Sequence, residues 1–337
     1  MCVRRNTSYS NLIEVPIITR MWNPKLRKED YSSFFICECM GWRIICISQA
    51  ERINYKLNSI GVMRNNEFVW INLDEIDTII IECLQCNTSF KLLIELVKKG
   101  INLIICDETH LPIGSLNTFN NNQRTTKYNK KQIEWREENK KIIWTEIIKQ
   151  KILLQAICLI KIGKKDKIDQ IKSYIDDIEN GDYTNREGIA AKVYFHELFG
   201  LDFVRKRNAN DLINSSLNYV YQVIRSKIAQ EIVSHGYIPS LGINHCSEYN
   251  YFCLADDFIE VYRPLLDYFI IKLIEESDDC FLTPQFKQKL INILFYDIKY
   301  DNSKHKLIES IKLYVINTID AISLGKKEVL KFPLFYD

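Results

Sequence analysis

What this 337-residue chain lacks narrows its function before any motif is read. It has almost no net charge: 45 basic and 43 acidic residues leave a formal +2. That balance neither supports nor excludes a nucleic-acid partner, because lysines can concentrate on one face and be balanced elsewhere. It has no apolar run of membrane-spanning length; the longest candidate, Leu265 to Ile274, is interrupted by Lys272. Arg4, Arg5, Glu14 and Arg20 break up the first residues, so no secretory signal is readable, and no membrane partner is expected. The eleven cysteines are odd in number and scattered among apolar runs, without the spacing of a secreted disulfide framework; reduced thiols in the cytoplasm are the expectation. Cys83-Leu-Gln-Cys86 lacks the second pair a zinc site needs. Gly163-Lys164 and Gly325-Lys326 lack the upstream glycine of a phosphate-binding loop, and His196-Glu197 lacks a histidine at position 200, which is Gly200. No repeat of fixed period runs along the chain.

With 47% hydrophobic residues the chain is long enough for two domains with real cores. Between Trp42 and Ile104, short β-branched and aromatic runs alternate with turn residues, predicting strands over 43–48, 52–57, 67–72 and 78–82. Asn65-Asn66 reads as a hairpin turn. Residues 89–99 have helical period and stop at Gly100, ahead of a buried strand over 101–106. Residues 117–130 are polar and asparagine-rich, which predicts an interdomain linker. Beyond it, helical periods over 132–162, 167–180, 187–199, 209–234, 254–274, 284–300 and 304–322 predict an α-helical domain. The expected fold class is α+β: a small β-rich domain over 40–116, the linker, and a larger all-α domain over 131–337.

The most informative segment is Gly242-Ile243-Asn244-His245, followed by Asp256, Asp257 and Glu260. In one continuous helix over 254–274 the three carboxylates would share a face able to hold a divalent cation. Taken singly, Asp256-Asp257 would be a helix cap, Glu260 a surface residue and Glu187 a partner for its helix dipole. Only the joint pattern with His245 overturns those defaults. Asn185-Arg186-Glu187-Gly188 opens another helix, with small residues permitting close packing around the Glu187 carboxylate. Bringing Glu187 to His245 and Glu260 would make a mixed oxygen and nitrogen site suited to Mg²⁺ or Mn²⁺ with open water positions.

From Met40 nearly to the C-terminus the chain resembles a known family, the CRISPR-associated integrases of spacer acquisition, the first-numbered of the CRISPR-associated families, and within it the type II branch. The resemblance rests on Met40-Gly41-Trp42-Arg43, Cys106-Asp107-Glu108 with His110-Leu111-Pro112-Ile113-Gly114, Arg186-Glu187-Gly188 leading to Tyr194-Phe195, Asn214 with Leu217-Asn218-Tyr219 and Tyr221, Gly242 to His245, and Leu254-Ala255-Asp256-Asp257 through Arg263-Pro264-Leu265. It implies that Glu187, His245 and Glu260 are the catalytic and metal-binding residues, with Asp257 and Asp256 as helpers, and that the cofactor is Mg²⁺ or Mn²⁺. His245 would ligate the ion or carry a proton. The implied function is insertion of short DNA duplexes (spacers) into a repeat array, the 3′-hydroxyl of each strand attacking a phosphodiester. The implied partners are double-stranded DNA, a second copy of the chain, and a small second CRISPR-associated adaptation protein; the type II effector nuclease and an accessory adaptation protein are further candidates. Residues 1–39 resemble nothing in the family: the preferred expectation is that Met40 is the true start and they are mis-called, the alternative that they form an added arm.

Basic runs at 124–131, 161–167 and Arg205-Lys206-Arg207 are candidate phosphate contacts, the last ranked first. Tyr219 and Tyr221 are candidates for stacking on splayed bases. Two rivals stand beside the integrase: a catalytically silent DNA-binding scaffold of the same fold, and an unrelated helical hydrolase of small phosphoesters.

Overall fold

A computed structural model describes residues 34–39, 42–108, 110–116, 122–206 and 211–336. The expected extension up to residue 33, Met40-Gly41, residues 117–121 and Arg207 lie outside the described residues. In chain order the elements are β1 (Phe34–Cys39), β2 (Trp42–Ile47), β3 (Arg52–Lys56), β4 (Ser59–Arg64), β5 (Glu67–Asn72), β6 (Ile76–Ile81), β7 (Asn87–Thr88), α1 (Phe90–Lys99), β8 (Asn102–Cys106) and β9 (Pro112–Leu116). There follow α2 (Thr125–Ile133), α3 (Glu137–Lys161), α4 (Ile168–Asp176), α5 (Arg186–Phe199), α6 (Leu212–Ser234), α7 (Cys253–Ile259), α8 (Arg263–Glu275), α9 (Pro284–Asn292), β10 (Asp297–Tyr300), β11 (Ser303–Lys306), α10 (Leu307–Leu324) and β12 (Leu334–Phe335). A β-rich N-terminal region thus precedes a mainly helical one, the α+β class that the sequence pattern predicts.

The strand order β1-β2-β6-β8-β9 makes a five-stranded sheet whose three central strands are parallel, and β5-β4-β3-β7 makes a second, four-stranded sheet. Period-two alternation decides which core each residue joins. Ile44, Cys46, Ile80, Ile104 and Cys106 point into the core built by the helices, while Ile45, Ile47, Ile79 and Leu103 point into the core shared with the second sheet. Both faces are therefore dry, which is why these strands read as unbroken apolar runs. The Asn65-Asn66 turn has left-handed angles at both residues, as a tight hairpin requires. Gly100 ends α1 as expected, and Ser89 caps its start, accepting from the Leu92 N–H.

Four expectations are corrected. First, Phe34–Cys39 pairs antiparallel with β2, so the sheet includes six residues assigned to the extension. Second, the expected linker 117–130 runs into α2, whose only buried side chain is Gln132; a helix with so little apolar surface leaves no periodic signal. Gln132 earns its place by polar contacts, accepting from Ile238 N at 2.7 Å and donating to the carbonyls of Ile238 and Leu241 at 2.9 and 3.0 Å. Third, the helix expected over 254–274 breaks after Ile259, because Pro264 has no N–H to give the Glu260 carbonyl. Fourth, the helical part is not purely α: after Asn292 the chain turns into the hairpin β10–β11, its tip at Asp301-Asn302 in left-handed conformation, and β12 pairs with β10.

The long helix α3 is apolar on most of its circumference, with Trp144, Ile147, Ile148, Ile152 and Leu159 buried, and it packs against α4, α5, α8 and α10. Helix α6 is also buried nearly all round and reaches β8 and β9. Asp267 on α8 ties three helices together. It accepts from Tyr194 of α5 at 3.0 Å and from Tyr221 of α6. Burial pushes its carboxyl up to about 6, against the pull of those two hydroxyls. A carboxyl whose pKa is raised by folding supports the fold fully below its unfolded pKa and loses that support as pH rises through the folded value. The unfolding free energy of the wild type, measured against Asp267→Asn by chemical denaturation, should therefore fall by about 3 kcal/mol between about pH 4 and about pH 7. Parallel pH profiles for the two proteins would contradict this account of Asp267.

Candidate active site

Asp257 organises the site from its centre. Fully buried on α7, it accepts from the backbone N–H of Ile243 at 2.6 Å and of Asn244 at 3.2 Å through Oδ2. Its Oδ1 takes the backbone N–H of His245 at 3.0 Å and Nδ1 of the same imidazole at 2.7 Å. One carboxylate thus folds the whole loop 242–245 onto α7. The loop passes so close that a Cβ on Gly242 would lie 2.3 Å from the His245 carbonyl oxygen and 2.7 Å from Asp257 Oδ2, so no larger residue fits there. Facing a carboxylate, Nδ1 carries the proton, so that in the neutral ring Nε2 keeps its lone pair. The hydrogen bond that Nδ1 donates to Asp257, opposed by burial, raises the His245 pKa. Trp144 meets the imidazole edge-on at 5.8 Å, and the side chain stays 41% exposed. A cleft of about 500 Å³ lined by Gln132, Trp135, Lys140, Leu241 and Gly242 opens beside it.

Glu187 arrives from the start of α5, where the preceding turn is held by side chains. Asp182 Oδ1 and Oδ2 accept from the backbone N–H groups of Arg186 at 2.8 Å and Glu187 at 3.0 Å, and Asn185 caps Gly188 at 3.3 Å. Asp182 and Asn185 are both left-handed, and Thr145 of α3 receives the Gly181 N–H at 2.8 Å. Glu260 sits where Pro264 interrupts the helix. Its two oxygens are separately engaged: Oε1 by Arg263 at 3.1 Å and Oε2 by Lys151 Nζ at 2.5 Å. The same Lys151 nitrogen is 2.5 Å from Glu187 Oε1. Burial opposes the ionisation of Glu260, but Arg263 and then Lys151 hold it below the usual carboxylate range. Burial likewise opposes the Lys151 charge, but Glu260 and then Glu187 outweigh it and raise that pKa.

The structure thus brings Glu187 and Glu260 to one point, with His245 close enough for its charge to be felt at Glu260. It does not make the expected three-carboxylate face. Asp256 turns away to Asn250 Nδ2 at 2.7 Å and Arg225 at 3.7 Å, and Asp257 is spent on its loop. Among the described residues no three His, Cys, Asp or Glu side chains form a ready-made metal cluster, since Lys151 lies between the two glutamates. The donor set nevertheless suits a hard divalent cation, and the two carboxylates already converge on a cationic atom. Lys151 went unnoticed in the sequence, although Trp144, Ile147, Ile148, Lys151 and Gln155 form one buried stripe of α3 in which it is the charged member.

The DNA-contact candidates divide. Tyr219 is fully buried with Lys287 over its ring at 5.3 Å, and Tyr221 is buried with Arg263 over its ring at 5.0 Å. Both sit inside the nearly all-round buried α6, so neither is available for stacking on bases, which corrects that expectation. Lys206 is exposed and Arg205 half-buried. Buried Asn214 fixes their segment, accepting from Lys206 N at 2.9 Å and Arg205 Nη1 at 3.1 Å and donating to the Val204 carbonyl at 3.2 Å.

The sequence profile described as "CRISPR associated protein Cas1" matches residues 44–292, a span that runs from within β2 to the end of α9 and includes every side chain of this site. The chain belongs to the Cas1 family. It is 34% identical over 295 residues to the CRISPR-associated endonuclease Cas1 of Neisseria meningitidis serogroup C (strain 8013), covering 87% of this chain and 96% of that one. A Cas6-RT-Cas1–Cas2 complex shares the fold at TM-score 0.71 and 18% identity over 88% of this chain, which spans 36% of that polypeptide. A casposase bound to integration product shares it at TM-score 0.64 and 18% identity, over 86% of this chain and 92% of that one. Among the described residues, no helix is long and apolar enough to cross a membrane.

Two substitutions separate loop geometry from ligand chemistry in this Cas1 protein. Gly242→Ala should lower the unfolding free energy by about 1–3 kcal/mol through overpacking. Asp257→Asn should abolish the preference of His245 for the Nδ1–H tautomer, read from side-chain ¹⁵N NMR. Unchanged stability and an unchanged tautomer would show that the loop is held by other contacts.

Proposed function

We propose that this Cas1 protein is a divalent-metal-dependent DNA integrase and endonuclease that joins short duplexes into a CRISPR repeat array by 3′-hydroxyl attack on a phosphodiester. The observation that carries the reading is the convergence of Glu187 and Glu260, from separate helices, on a single cationic nitrogen beside an imidazole with a free Nε2. Glu187, Glu260 and His245 Nε2 would hold Mg²⁺ or Mn²⁺. When bound, such an ion eases formation of alkoxide character on the attacking hydroxyl and offsets charge on the phosphoryl oxygens.

The chain's own residues supply the rest. Asp257 fixes the imidazole in one tautomer and orientation, the role a carboxylate plays behind many metal-binding histidines. Arg263 keeps Glu260 ionised in a buried position. The cleft beside His245 gives a strand a way in, and Arg205 and Lys206, held by Asn214, are placed to meet phosphates without reading bases. The N. meningitidis relative named as a CRISPR-associated endonuclease supports the reaction class, and the casposase bound to integration product supports strand joining on this fold. The Cas1–Cas2 assembly supports a second adaptation protein as partner; to this the proposal adds double-stranded DNA as cargo and a second copy of this chain.

Half-site joining of a short duplex into a repeat-containing target, with the companion adaptation protein and Mg²⁺ or Mn²⁺, tests this. His245→Ala, Glu187→Gln and Glu260→Gln should each lower joining by about 10²-fold or more while duplex affinity holds within about twofold. EDTA should stop the wild type. Full joining by the His245 variant would exclude the reading, and a wild type that binds duplex yet never joins it would favour the silent scaffold.

A further inference from the structure

We propose that Lys151 is a built-in counter-ion of the metal site: its ammonium holds Glu187 and Glu260 together in the metal-free protein and is displaced when a divalent cation enters. The inference rests on the preceding reading of those glutamates as metal ligands. Its starting point is geometric. A single Nζ lies 2.5 Å from Glu187 Oε1 and 2.5 Å from Glu260 Oε2, so the two oxygens are at most twice that distance apart. That limit is only a little wider than the span of two oxygens bonded to one small divalent ion.

Charge and burial make the lysine necessary when no metal is present. The Lys151 and Glu260 side chains are 7% and 4% exposed, and Glu187 is 25% exposed. Two carboxylates brought this close in a dry setting repel strongly unless a cation stands between them. Arg263 reaches only the other oxygen of Glu260, which leaves the gap between the glutamates to Lys151. The residue is also out of place by composition. It occupies a core-facing position of α3 between Ile148 and Ile152, where apolar side chains are the usual occupants.

The same placement makes Lys151 a competitor. An ammonium and a divalent cation cannot share the space between Oε1 of Glu187 and Oε2 of Glu260. Metal entry must therefore move Nζ away, and the partly exposed side of Glu187 gives the flexible four-carbon stem a direction to go. Lys151 thus acts as a positioning residue. It preserves the ligand spacing before the ion arrives and weakens the affinity the bare glutamates would have, so that the site fills only when the ion is supplied at sufficient concentration.

The test uses full-length, metal-stripped protein and two readouts other than catalysis: thermal unfolding in EDTA, and Mn²⁺ affinity from EPR titration of the free ion. Lys151→Met should lower the metal-free melting temperature and tighten Mn²⁺ binding about tenfold, because an opposing charge has been removed. Lys151→Arg keeps the charge and should leave both quantities near the wild-type values. The double variant Lys151→Met with Glu187→Gln removes the excess charge and should recover metal-free stability, which keeps the test decisive where the single variant fails to fold. A Lys151→Met protein with unchanged or weaker Mn²⁺ affinity, or a double variant no more stable than the single one, overturns the proposal. A wild type whose Mn²⁺ binding is insensitive to Glu260→Gln would instead refute the metal-site reading, while the unfolding comparisons in EDTA still judge the counter-ion role.

Discussion

Two carboxylates forced together in a dry interior are the constraint around which this protein is arranged. Glu187 and Glu260 come from helices far apart in sequence, and their proximity is tolerable only because Lys151 and Arg263 supply opposing charge. Each element nearby contributes to that convergence. The left-handed turn at Asp182 and Asn185 sets where α5 begins, Pro264 opens the backbone at Glu260, and α3 delivers the lysine between them. Charged groups left so poorly hydrated are costly for stability, and sites that handle anionic substrates and cations are where such a cost has a use.

The histidine is positioned by a different device. Asp257, fully buried and surrounded by four N–H donors of a single loop, converts a flexible Gly-Ile-Asn-His segment into a rigid mount. Two neighbouring carboxylates of α7 therefore have separate duties, Asp257 inward to the loop and Asp256 outward to Asn250 and Arg225. The sheet region is fastened to this assembly through buried polar contacts, Lys287 with Glu82 at 3.0 Å and Lys227 with Asp77 at 2.7 Å, so the strands and the helices that carry the site share one core.

Much of the fold was legible because its signals are local. The runs Ile44–Ile47, Ile79–Ile81 and Leu103–Ile105 are continuously apolar and rich in isoleucine, the pattern left by strands with core on both faces. Two elements were not legible: α2, anchored by Gln132, has no apolar period, and the strands flanking the Asp301-Asn302 turn read as the end of one helical period and the start of the next. Glu187, His245 and Glu260 could be picked out by resemblance to a family and by residue type, and the structure brings Glu187 and Glu260 onto one Lys151 nitrogen. Lys151 could not be, because a lysine among isoleucines looks like a solvated side chain until its helix is known to be buried all round. Tyr219 and Tyr221 failed for the converse reason, being polar aromatics that α6 turns into the core.

The central claim is that Glu187, His245 and Glu260 grip one divalent ion. Anomalous diffraction from crystals of the full chain grown with Mn²⁺ tests it most directly. The account predicts a single Mn²⁺ peak within bonding distance of Glu187, Glu260 and His245 Nε2, with Lys151 Nζ moved out of the gap. A gap still filled by the lysine at saturating Mn²⁺, with the ion bound elsewhere or not at all, would contradict it.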